Sequence, residues 1–229
     1  MEYLPHYDVV QYAGMTFHMN TIYMTWLTMA IIIVFMIAAT RNLSMVPGGL
    51  QNVLEMIATP IMEQVEQSIG PRAKKILPII LTLFMFILLS NEIGLLPGKP
   101  FYKYFNSPTN DFNTTLGLAL FVAILVHVVA VMEKGVVNHV KHFFKPFFPF
   151  VFIHLIEEVS RPLTLAIRLF GNIMAGKVLL LILQKMVPWG VPLVWIIFKV
   201  VIYLIQAVIF TILTISYISN SYPKEGEEH

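Results

Sequence analysis

The chain has 229 residues, of which 57% are hydrophobic and only 12% are charged, and its formal net charge is +2. This composition is typical of an integral membrane protein and excludes an ordinary soluble domain. The small net charge gives no indication of nucleic-acid binding, and the absence of cysteine excludes disulfides and thiolate metal sites. No phosphate-binding glycine loop and no HExxH motif is present, so the sequence predicts neither nucleotide chemistry nor a cofactor or metal site.

We predict an all-α fold of five membrane-spanning helices and one amphipathic interfacial helix, in a single membrane domain. Each of five apolar segments has the roughly 20 residues that a hydrocarbon core of about 30 Å requires. In chain order the predicted parts are an outer N-terminal segment (1–21), a first span (22–40), the amphipathic helix (48–70), a second span (76–96), a third span (115–132), two long final helices (150–186 and 191–219) and a cytoplasmic tail (220–229).

The N-terminal segment is polar and aromatic and lacks the basic region of a signal peptide, so we expect the first span to be retained. In the amphipathic helix, apolar residues from Leu50 to Ile69 recur at helical spacing, with glutamines and glutamates on the remaining faces. This pattern predicts a helix at the membrane interface or against a partner. A linker helix on the soluble side is the alternative. The second span carries two polar residues, Asn91 and Glu92, which we expect to break it near its end.

The last two helices are longer than a bilayer requires. A single helix over 150–186 would measure about 55 Å at about 1.5 Å per residue. It fits a core of about 30 Å only at a tilt far above the usual value of about 20°. The helix therefore either breaks near Gly171 or Gly176, or it forms a strongly tilted hairpin with the last helix. We favour the hairpin, because the proline- and glycine-containing segment 188–192 supplies a turn.

Basic residues are distributed unevenly between the two sets of loops. One set carries Arg41, Arg72, Lys74, Lys75, Lys134, Lys141, Lys145 and Lys224. The other carries Lys99 and Lys103, with Lys185 near the hairpin turn. Because cytoplasmic loops are enriched in lysine and arginine, the N-terminus is predicted outside and the C-terminus in the cytoplasm.

A polar stripe runs along the helix predicted over 150–186. Taken at 100° per residue, seven positions fall within about a quarter of the circumference. They are Glu157, Arg161, Thr164, Arg168, Gly171, Asn172 and Ala175. The guanidinium of Arg168 cannot lose its charge, and at membrane depth it costs roughly 3 kcal/mol or more unless it faces water or a countercharge. No acidic residue lies one turn away from it, so its countercharge must be non-local.

A second stripe follows one face of the last helix and consists of Lys199, Tyr203, Gln206, Phe210 and Tyr217. Structural interpretations compete with functional ones at several of these polar positions. Asn172 and Gln206 are candidates for hydrogen bonding between helices, and Lys177 and Lys199 for interfacial anchoring.

Other ionisable residues have structural interpretations too. Glu157 and Arg161 have the spacing of an ion pair within one helix. His127, alone in an apolar span, is more typical of a hydrogen-bonded core residue than of a catalytic one. His139, His142 and His154 do not form a convincing metal set.

Four segments resemble the signature segments of subunit a of the F-type ATP synthase. They are SRPLTLAIRLFGN at 160–172, QAVIFTILTISY at 206–217, NEIGLLPG at 91–98 and NTTLGLAL at 113–120. Their order along the chain is that of the family, and the resemblance as a whole extends over nearly the whole chain. The resemblance implies five transmembrane helices and an amphipathic helix, ending in an oblique hairpin against a ring of c subunits. It implies a single copy in a multi-subunit complex with b subunits of the peripheral stalk, surrounded by lipid in a bacterial cell membrane.

The resemblance also implies roles for individual residues. Arg168 corresponds to the stator arginine, which faces the ion-carrying carboxylate of the ring between two offset aqueous half-channels. Our candidate residues for the ion pathway are Asn172, Gln206, Glu157, Glu158, Lys177, Lys199, Tyr203, Asn91 and Glu92. Whether the ion is H⁺ or Na⁺ is left open, since the coordinating site belongs mainly to the c subunit. No cofactor is implied, and the chain binds no nucleotide itself.

The sequence departs from the family at two of these positions. Many members carry an acidic residue and a histidine where this chain has Lys177 and Lys199. If the two lysines approach each other, they repel or one is neutral. Glu157 and Glu158 are then candidate partners for the lysines, or alternative channel groups.

Two other functions remain alternatives. An independent secondary transporter or antiporter with a buried arginine would be expected to have internal repeats, and none is seen between the two halves of the chain. A membrane scaffold that transports nothing would leave four intramembrane cations without a purpose.

Overall fold

The computed structural model describes residues 9–12, 15–70, 73–95, 107–136, 150–187 and 189–222. Within these residues the chain forms a short β-hairpin, six α-helices and one 3₁₀ turn. The elements are β1 (Val9–Tyr12), β2 (Met15–His18), α1 (Met19–Thr40), α2 (Gly49–Ile69), α3 (Ala73–Ile93), the 3₁₀ turn (Pro108–Asn110), α4 (Phe112–Lys134), α5 (Phe150–Met186) and α6 (Val191–Ser219).

Five of these helices are long and apolar enough to cross a membrane, namely α1, α3, α4, α5 and α6. The remaining helix, α2, is amphipathic and turns Leu54 and Val65 inward while its glutamates stay exposed. The predicted all-α membrane fold is confirmed. The β-hairpin that precedes α1 is an addition to it that the sequence pattern did not predict.

The α5 helix is continuous over 37 residues, although Pro162 lies inside it. It does not break at Gly171 or Gly176, so of the two expected arrangements the structure adopts the hairpin. The turn into α6 uses Gly190, whose φ of 79° is a left-handed conformation that glycine adopts without steric cost.

Two predicted span ends differ from the structure. The second span, α3, ends at Ile93, and Asn91 and Glu92 lie in its last turn without breaking it. The third span, α4, begins earlier than predicted, because the carboxylate of Asp111 accepts a hydrogen bond from the main-chain N–H of Asn113 at 3.0 Å. A capping carboxylate of this kind satisfies one of the free N–H groups at the start of a helix.

The end of the β-hairpin and the first turn of α1 are both attached to the rest of the bundle through Asp111. Nδ1 of His18 lies 2.5 Å from Oδ2 of Asp111, and the hydroxyl of Thr21 donates to the same oxygen at 3.4 Å. The partners are 93 and 90 residues apart in sequence. Helical or strand periodicity relates residues that are close together in sequence. It therefore could not predict a contact between residues this far apart.

The core lies between α3, α4, α5 and α6. The α3 helix packs against α6, α4 packs against α5, and α2 crosses α1, α3 and α6. The C-terminal end of α6 accepts or donates hydrogen bonds on both of its sides. The hydroxyl of Ser219 donates to the carbonyl of Ser68 at 2.7 Å, and Nζ of Lys134 donates to the carbonyl of Asn220 at 3.2 Å. This packing covers one face of the α5–α6 hairpin and leaves the other face exposed.

Several residues of the sequence predictions lie outside the described part of the chain. They are Arg72, Lys99, Lys103, His139, Lys141, His142, Lys145, Pro188 and Lys224.

Candidate functional site

Arg168 lies near the middle of α5, at the border between its buried and its exposed faces. Leu165 and Leu169 beside it are buried in the core, whereas Thr164 and Ala175 on its other side are exposed. Arg168 itself is half-buried. Within the described residues no carboxylate oxygen lies within 4.0 Å of its guanidinium. The described part of the chain therefore provides this charge with no ion-pair partner.

One group of polar side chains lies between Arg168 and the α5–α6 turn. We call it the tip cluster, and it comprises Asn172, Lys177, Lys199, Tyr203 and Gln206. The amide of Asn172 donates to Oε1 of Gln206 at 2.6 Å. Nζ of Lys199 donates to the main-chain carbonyl of Asn172 at 2.9 Å and lies 4.2 Å from the centre of the Tyr203 ring. The two helices are thus joined by hydrogen bonds, and the cation–π contact holds the Lys199 side chain against its own helix, α6.

Lys199 is only 3% exposed, and its ammonium group points into the hairpin. The interpretation of Lys199 as an interfacial anchor is therefore wrong, because an anchoring lysine extends its charge to the headgroup region. Lys177 is half-buried and directly follows Gly176, against which the end of the Lys199 side chain packs. The two lysines therefore lie in the same part of the hairpin.

A glycine makes the space for Lys199. A Cβ atom on Gly176 would collide with the outer end of the Lys199 side chain. The carbonyl of Gly176 also accepts a hydrogen bond from Nε1 of Trp195 at 3.1 Å. The sequence predicted only that Gly176 could break the helix. Its role in the structure is to leave room for a side chain of the neighbouring helix, and a pattern along one helix does not show this.

Residues at the end of α3 complete this region. Glu92 is half-buried in the last turn of α3, which packs against α6. Asn91 is fully buried, and its Oδ1 accepts a hydrogen bond from the hydroxyl of Thr109 in the 3₁₀ turn at 2.7 Å. Among the described residues, Nδ2 of Asn91 and Nε2 of Gln206 are buried amide groups without a hydrogen-bond partner. Buried donors of this kind favour a ligand or water.

A second polar group lies on the other side of Arg168. We call it the base cluster, and it comprises His127, Glu157, Glu158, Arg161 and Tyr217. Glu157 forms an ion pair with Arg161 one turn away. Oε1 of Glu158 lies 3.3 Å from Nε2 of His127 on α4. The guanidinium carbon of Arg161 lies 5.3 Å from the centre of the Tyr217 ring.

A cavity of about 10 Å³ adjoins the base cluster between α4 and α5 and is lined in part by Glu158, Arg161 and Tyr217. This is about the size that holds a single water molecule. The expectation that Glu157 or Glu158 is a partner of the lysines is wrong. Nineteen residues separate Glu158 from Lys177, which is about 28 Å along the helix, and both carboxylates have other partners.

A family model described as "ATP synthase A chain" matches residues 22–219. The chain belongs to this family. ATP synthase subunit a of Desulforamulus reducens is 39% identical over 226 residues, which cover 94% of this chain and 84% of that protein. Subunit a of Moorella thermoacetica is 37% identical over 203 residues, with 88% of this chain and 89% of that protein covered. The resemblance to subunit a is confirmed, and the chain is a multi-pass membrane subunit of a multi-subunit complex.

One contact within this subunit a fold differs from what the sequence predicted. His127 was interpreted as a lone histidine, but the structure places it beside Glu158 across the α4–α5 contact. The sequence offered one indication of this contact. His127 and Glu158 are ionisable residues in two different apolar spans, and such residues are expected to pair with one another. Which two of them pair depends on the rotation of both helices.

Proposed function

We propose that the chain is the ion-translocating stator subunit of a rotary ATP synthase. The observation that carries the proposal is the placement of Arg168. A permanent charge lies at the middle of a span, on the border of an exposed face, without an ion-pair partner in the described part of the chain. A partner that packs on this face is then required to supply the negative charge. A ring of c subunits with a carboxylate on each subunit meets this requirement.

Arg168 acts on each carboxylate that passes it. Its charge favours the ionised form of a carboxyl group within about 4–6 Å, so the carboxyl releases its ion. The same charge repels a cation that would otherwise move directly from one side of the membrane to the other. Lysine would be a poor substitute, because its amine loses a proton more readily and could relay it. Each ion that crosses 100 mV contributes about 2.3 kcal/mol to the rotation of the ring.

The tip and base clusters are the two half-channels in this proposal. Lys177 lies nine residues beyond Arg168, about 14 Å along α5, and Glu157 lies eleven residues before it, about 16 Å away. Polar groups therefore flank Arg168 on both sides and leave it as the barrier between them. Asn91 and Glu92 join the pathway from α3 at the tip side. The translocated ion is H⁺ or Na⁺, and the ring selects between them.

The proposed orientation places the N-terminal hairpin and the tip of α5–α6 outside and the C-terminus in the cytoplasm of a bacterial cell. The chain has no cysteine, so a single introduced thiol reports its own position. Ser107 is an unsuitable probe because it is 3% exposed and its hydroxyl donates to the carbonyl of Ser90. Gln11→Cys and Met45→Cys are suitable, since both side chains are exposed.

In intact cells an impermeant thiol reagent is expected to label Gln11→Cys, and to label Met45→Cys only after the membrane has been opened. The reverse pattern would refute the orientation and leave the role of Arg168 untouched.

The central test compares Arg168→Ala with Arg41→Ala, a matched loss of one arginine at an exposed position after α1. We expect Arg168→Ala to abolish ion-driven ATP synthesis in membrane vesicles, while the c-ring and b subunits still co-purify with the chain. Arg41→Ala should synthesise ATP like the parent. Near-normal coupled synthesis by an assembled Arg168→Ala complex would refute the proposal. Failure of the c-ring to co-purify with the parent chain would favour an independent transporter.

A further inference from the structure

Asp111 joins the N-terminal part of the chain to the start of α4. Its Oδ2 lies 2.5 Å from Nδ1 of His18 and accepts a hydrogen bond from the hydroxyl of Thr21 at 3.4 Å. Its Oδ1 accepts the capping bond from the main-chain N–H of Asn113. The Asp111 side chain is only 8% exposed, and burial of a carboxylate is costly without such partners. One carboxylate therefore fixes the first turn of α4 against both the β-hairpin and the first turn of α1.

The His18 side chain serves this junction and not its own helix. His18 directly precedes α1, but its side chain makes no capping hydrogen bond to that helix, all of whose residues are described. The 3₁₀ turn before Asp111 (Pro108–Asn110) is buried and packs against α1, α3, α4 and α5. The contact between His18 and Asp111 thus adjoins the place where four helices meet.

The residue after Asp111 continues the junction to α5. Phe112, the first residue of α4, packs edge-to-face against Phe170 of α5, with ring centres 5.6 Å apart and planes at 82°. This is a favourable geometry for two aromatic rings. Phe170 follows Arg168 by two residues and is itself partly buried. The contacts thus run from His18 through Asp111 and Phe112 to the part of α5 that carries Arg168.

The position of Arg168 depends on such packing. The described part of the chain gives its guanidinium no ion-pair partner, so a salt bridge within these residues does not fix its height in the membrane. Its effect on a passing carboxylate nevertheless requires an approach to about 4–6 Å. A misplacement of about 1 Å at a reacting group can reduce a rate by a large factor. Contacts that hold α5 at the level of Arg168 therefore bear on the proposed function, on which the following inference rests.

The strength of the junction depends on the charge of its histidine. Histidine gains a positive charge as the pH falls through about 6–7. A neutral imidazole can still donate from Nδ1 to a carboxylate, but a charged donor makes a hydrogen bond roughly twice as strong. In the proposed orientation His18 lies on the outer side of the membrane. The junction is then strongest when the outer water is acidic, which is also when protons are supplied from that side.

Other ionisable groups lie on the elements that pack around the junction. The titratable or charged residues among them are Tyr12 on β1, Tyr23 on α1, Glu92 on α3, and Arg168 and Lys177 on α5. The 3₁₀ turn carries none. These residues are unchanged in a variant of His18, so the ratio of variant to parental activity at each pH isolates the contribution of His18.

We propose that His18, Asp111 and Phe112 are positioning residues for Arg168, and that protonation of His18 from the outer water tightens this contact chain and so favours coupled ion transfer. None of the three touches the ion or the ring carboxylate. They act through α4 and α5.

The test measures ATP synthesis by the intact synthase in inverted membrane vesicles, whose lumen corresponds to the outside of the cell. The lumen pH is varied between about 5.5 and about 8, while a diffusion potential keeps the total driving force constant. His18→Gln can still donate a hydrogen bond to Asp111 but never carries a charge. We expect its rate to equal the parental rate at about pH 8 and to be about one third of it at about pH 5.5. Thr16→Ala, which truncates an exposed residue of the same β-hairpin, should match the parent throughout.

A second variant fixes the opposite charge state. His18→Lys carries a positive charge over the whole range, so we expect about twice the parental rate at about pH 8 and the parental rate at about pH 5.5. A merely structural role of His18 predicts one constant ratio at every pH for each variant. If His18→Gln does not assemble with the c-ring, the pH dependence of His18→Lys decides the matter.

Phe112→Leu tests whether the effect reaches α5. With the contact to Phe170 weakened, adding His18→Gln should change the rate at about pH 5.5 by less than about 1.3-fold. The matched control is Phe121→Leu, which alters a phenylalanine of α4 that is 48% exposed. In that background His18→Gln should still lower the rate about threefold.

A constant ratio between the His18 variants and the parent at all pH values would overturn the inference. So would a full effect of His18→Gln in the Phe112→Leu background. Its failure is distinguishable from failure of the proposed function. If the His18 variants show no pH effect while Arg168→Ala is inactive, only the positioning role is wrong. If Arg168→Ala is active, the proposed function itself is wrong.

Discussion

The tip cluster and the base cluster lie on opposite sides of Arg168 and differ both in charge and in how they are held. The tip cluster contains two lysines, and its hydrogen bonds run from α5 to α6. The base cluster contains two glutamates. One of them pairs with Arg161 on the same helix and the other with His127 on α4. The tip is therefore a contact between the two arms of the hairpin, whereas the base depends on α5 itself and on α4.

This difference indicates how the electrostatic potential varies along the proposed pathway. Lysines at the tip raise the potential that a cation meets. At the base, Arg161 offsets one of the two carboxylates, and the carboxylate of Glu158 lowers the potential. Arg168 separates the two regions and keeps its own charge throughout. A cation from the tip side thus meets a less favourable potential than a cation from the base side.

Among the substitutions that test the difference between the two clusters, those of Lys177 and Lys199 are expected to change ion conductance most. We expect Lys177→Ala to increase passive ion conductance through the membrane sector about tenfold, because a unit charge about 10 Å from the ion path is worth about 1–2 kcal/mol at an effective dielectric constant near 20. The pH dependence of the conductance should change as well, since a titratable amine has been removed. Lys199→Ala should act in the same direction, with an added effect from the lost bond to Asn172.

The measurement is ion flux in vesicles stripped of the soluble sector, with Lys185→Ala as the control for an exposed lysine near the turn. If Lys177→Ala and Lys199→Ala conduct and couple like the parent, the two lysines do not shape the pathway, and the contrast between tip and base has no functional meaning.

A smaller effect is expected from Gly176→Ala. The new methyl group would displace the flexible end of Lys199, whose atoms are the nearest to it, and break the bond from Nζ of Lys199 to the carbonyl of Asn172. Coupled ATP synthesis should fall about threefold, which corresponds to about 0.7 kcal/mol. Gly117→Ala is the matched control, because a Cβ there meets no atom within 4 Å. Equal activity of both variants would mean that the position of Lys199 is unimportant.

The smallest effect on coupling is expected at the base. His127→Ala removes the contact with Glu158, and polar contacts between membrane helices are typically worth about 0.6–2 kcal/mol. The complex should lose about this much stability in a detergent unfolding assay, while ATP synthesis falls only about twofold. The lipid-facing substitution Val128→Ala controls for a truncated side chain on α4. A loss of coupling as complete as that of Arg168→Ala would contradict the distinction between tip and base.

Sequence reasoning predicted the arrangement of helices well. Composition, span length and loop patterning were sufficient for the five spans, for α2 and for the hairpin. They also singled out Arg168, because a guanidinium in an apolar segment needs a countercharge wherever its helix lies. Helical periodicity placed Lys199, Tyr203 and Gln206 on one face of α6, and these side chains are all buried. Properties that follow from one helix alone were therefore accessible.

Properties that depend on two helices were not accessible. The sequence could not assign Glu158 to His127 instead of to a lysine, could not place the ammonium of Lys199 against Asn172, and gave Gly176 no role as the space that Lys199 fills. It also gave no signal that His18 is joined to Asp111. The physical reason is the same in each case. Hydrophobic periodicity fixes which face of a helix is buried, because burial of apolar surface depends on the local pattern of side chains. The pairing of polar groups depends on the relative rotation and height of neighbouring helices, and only the packing of the whole bundle determines these.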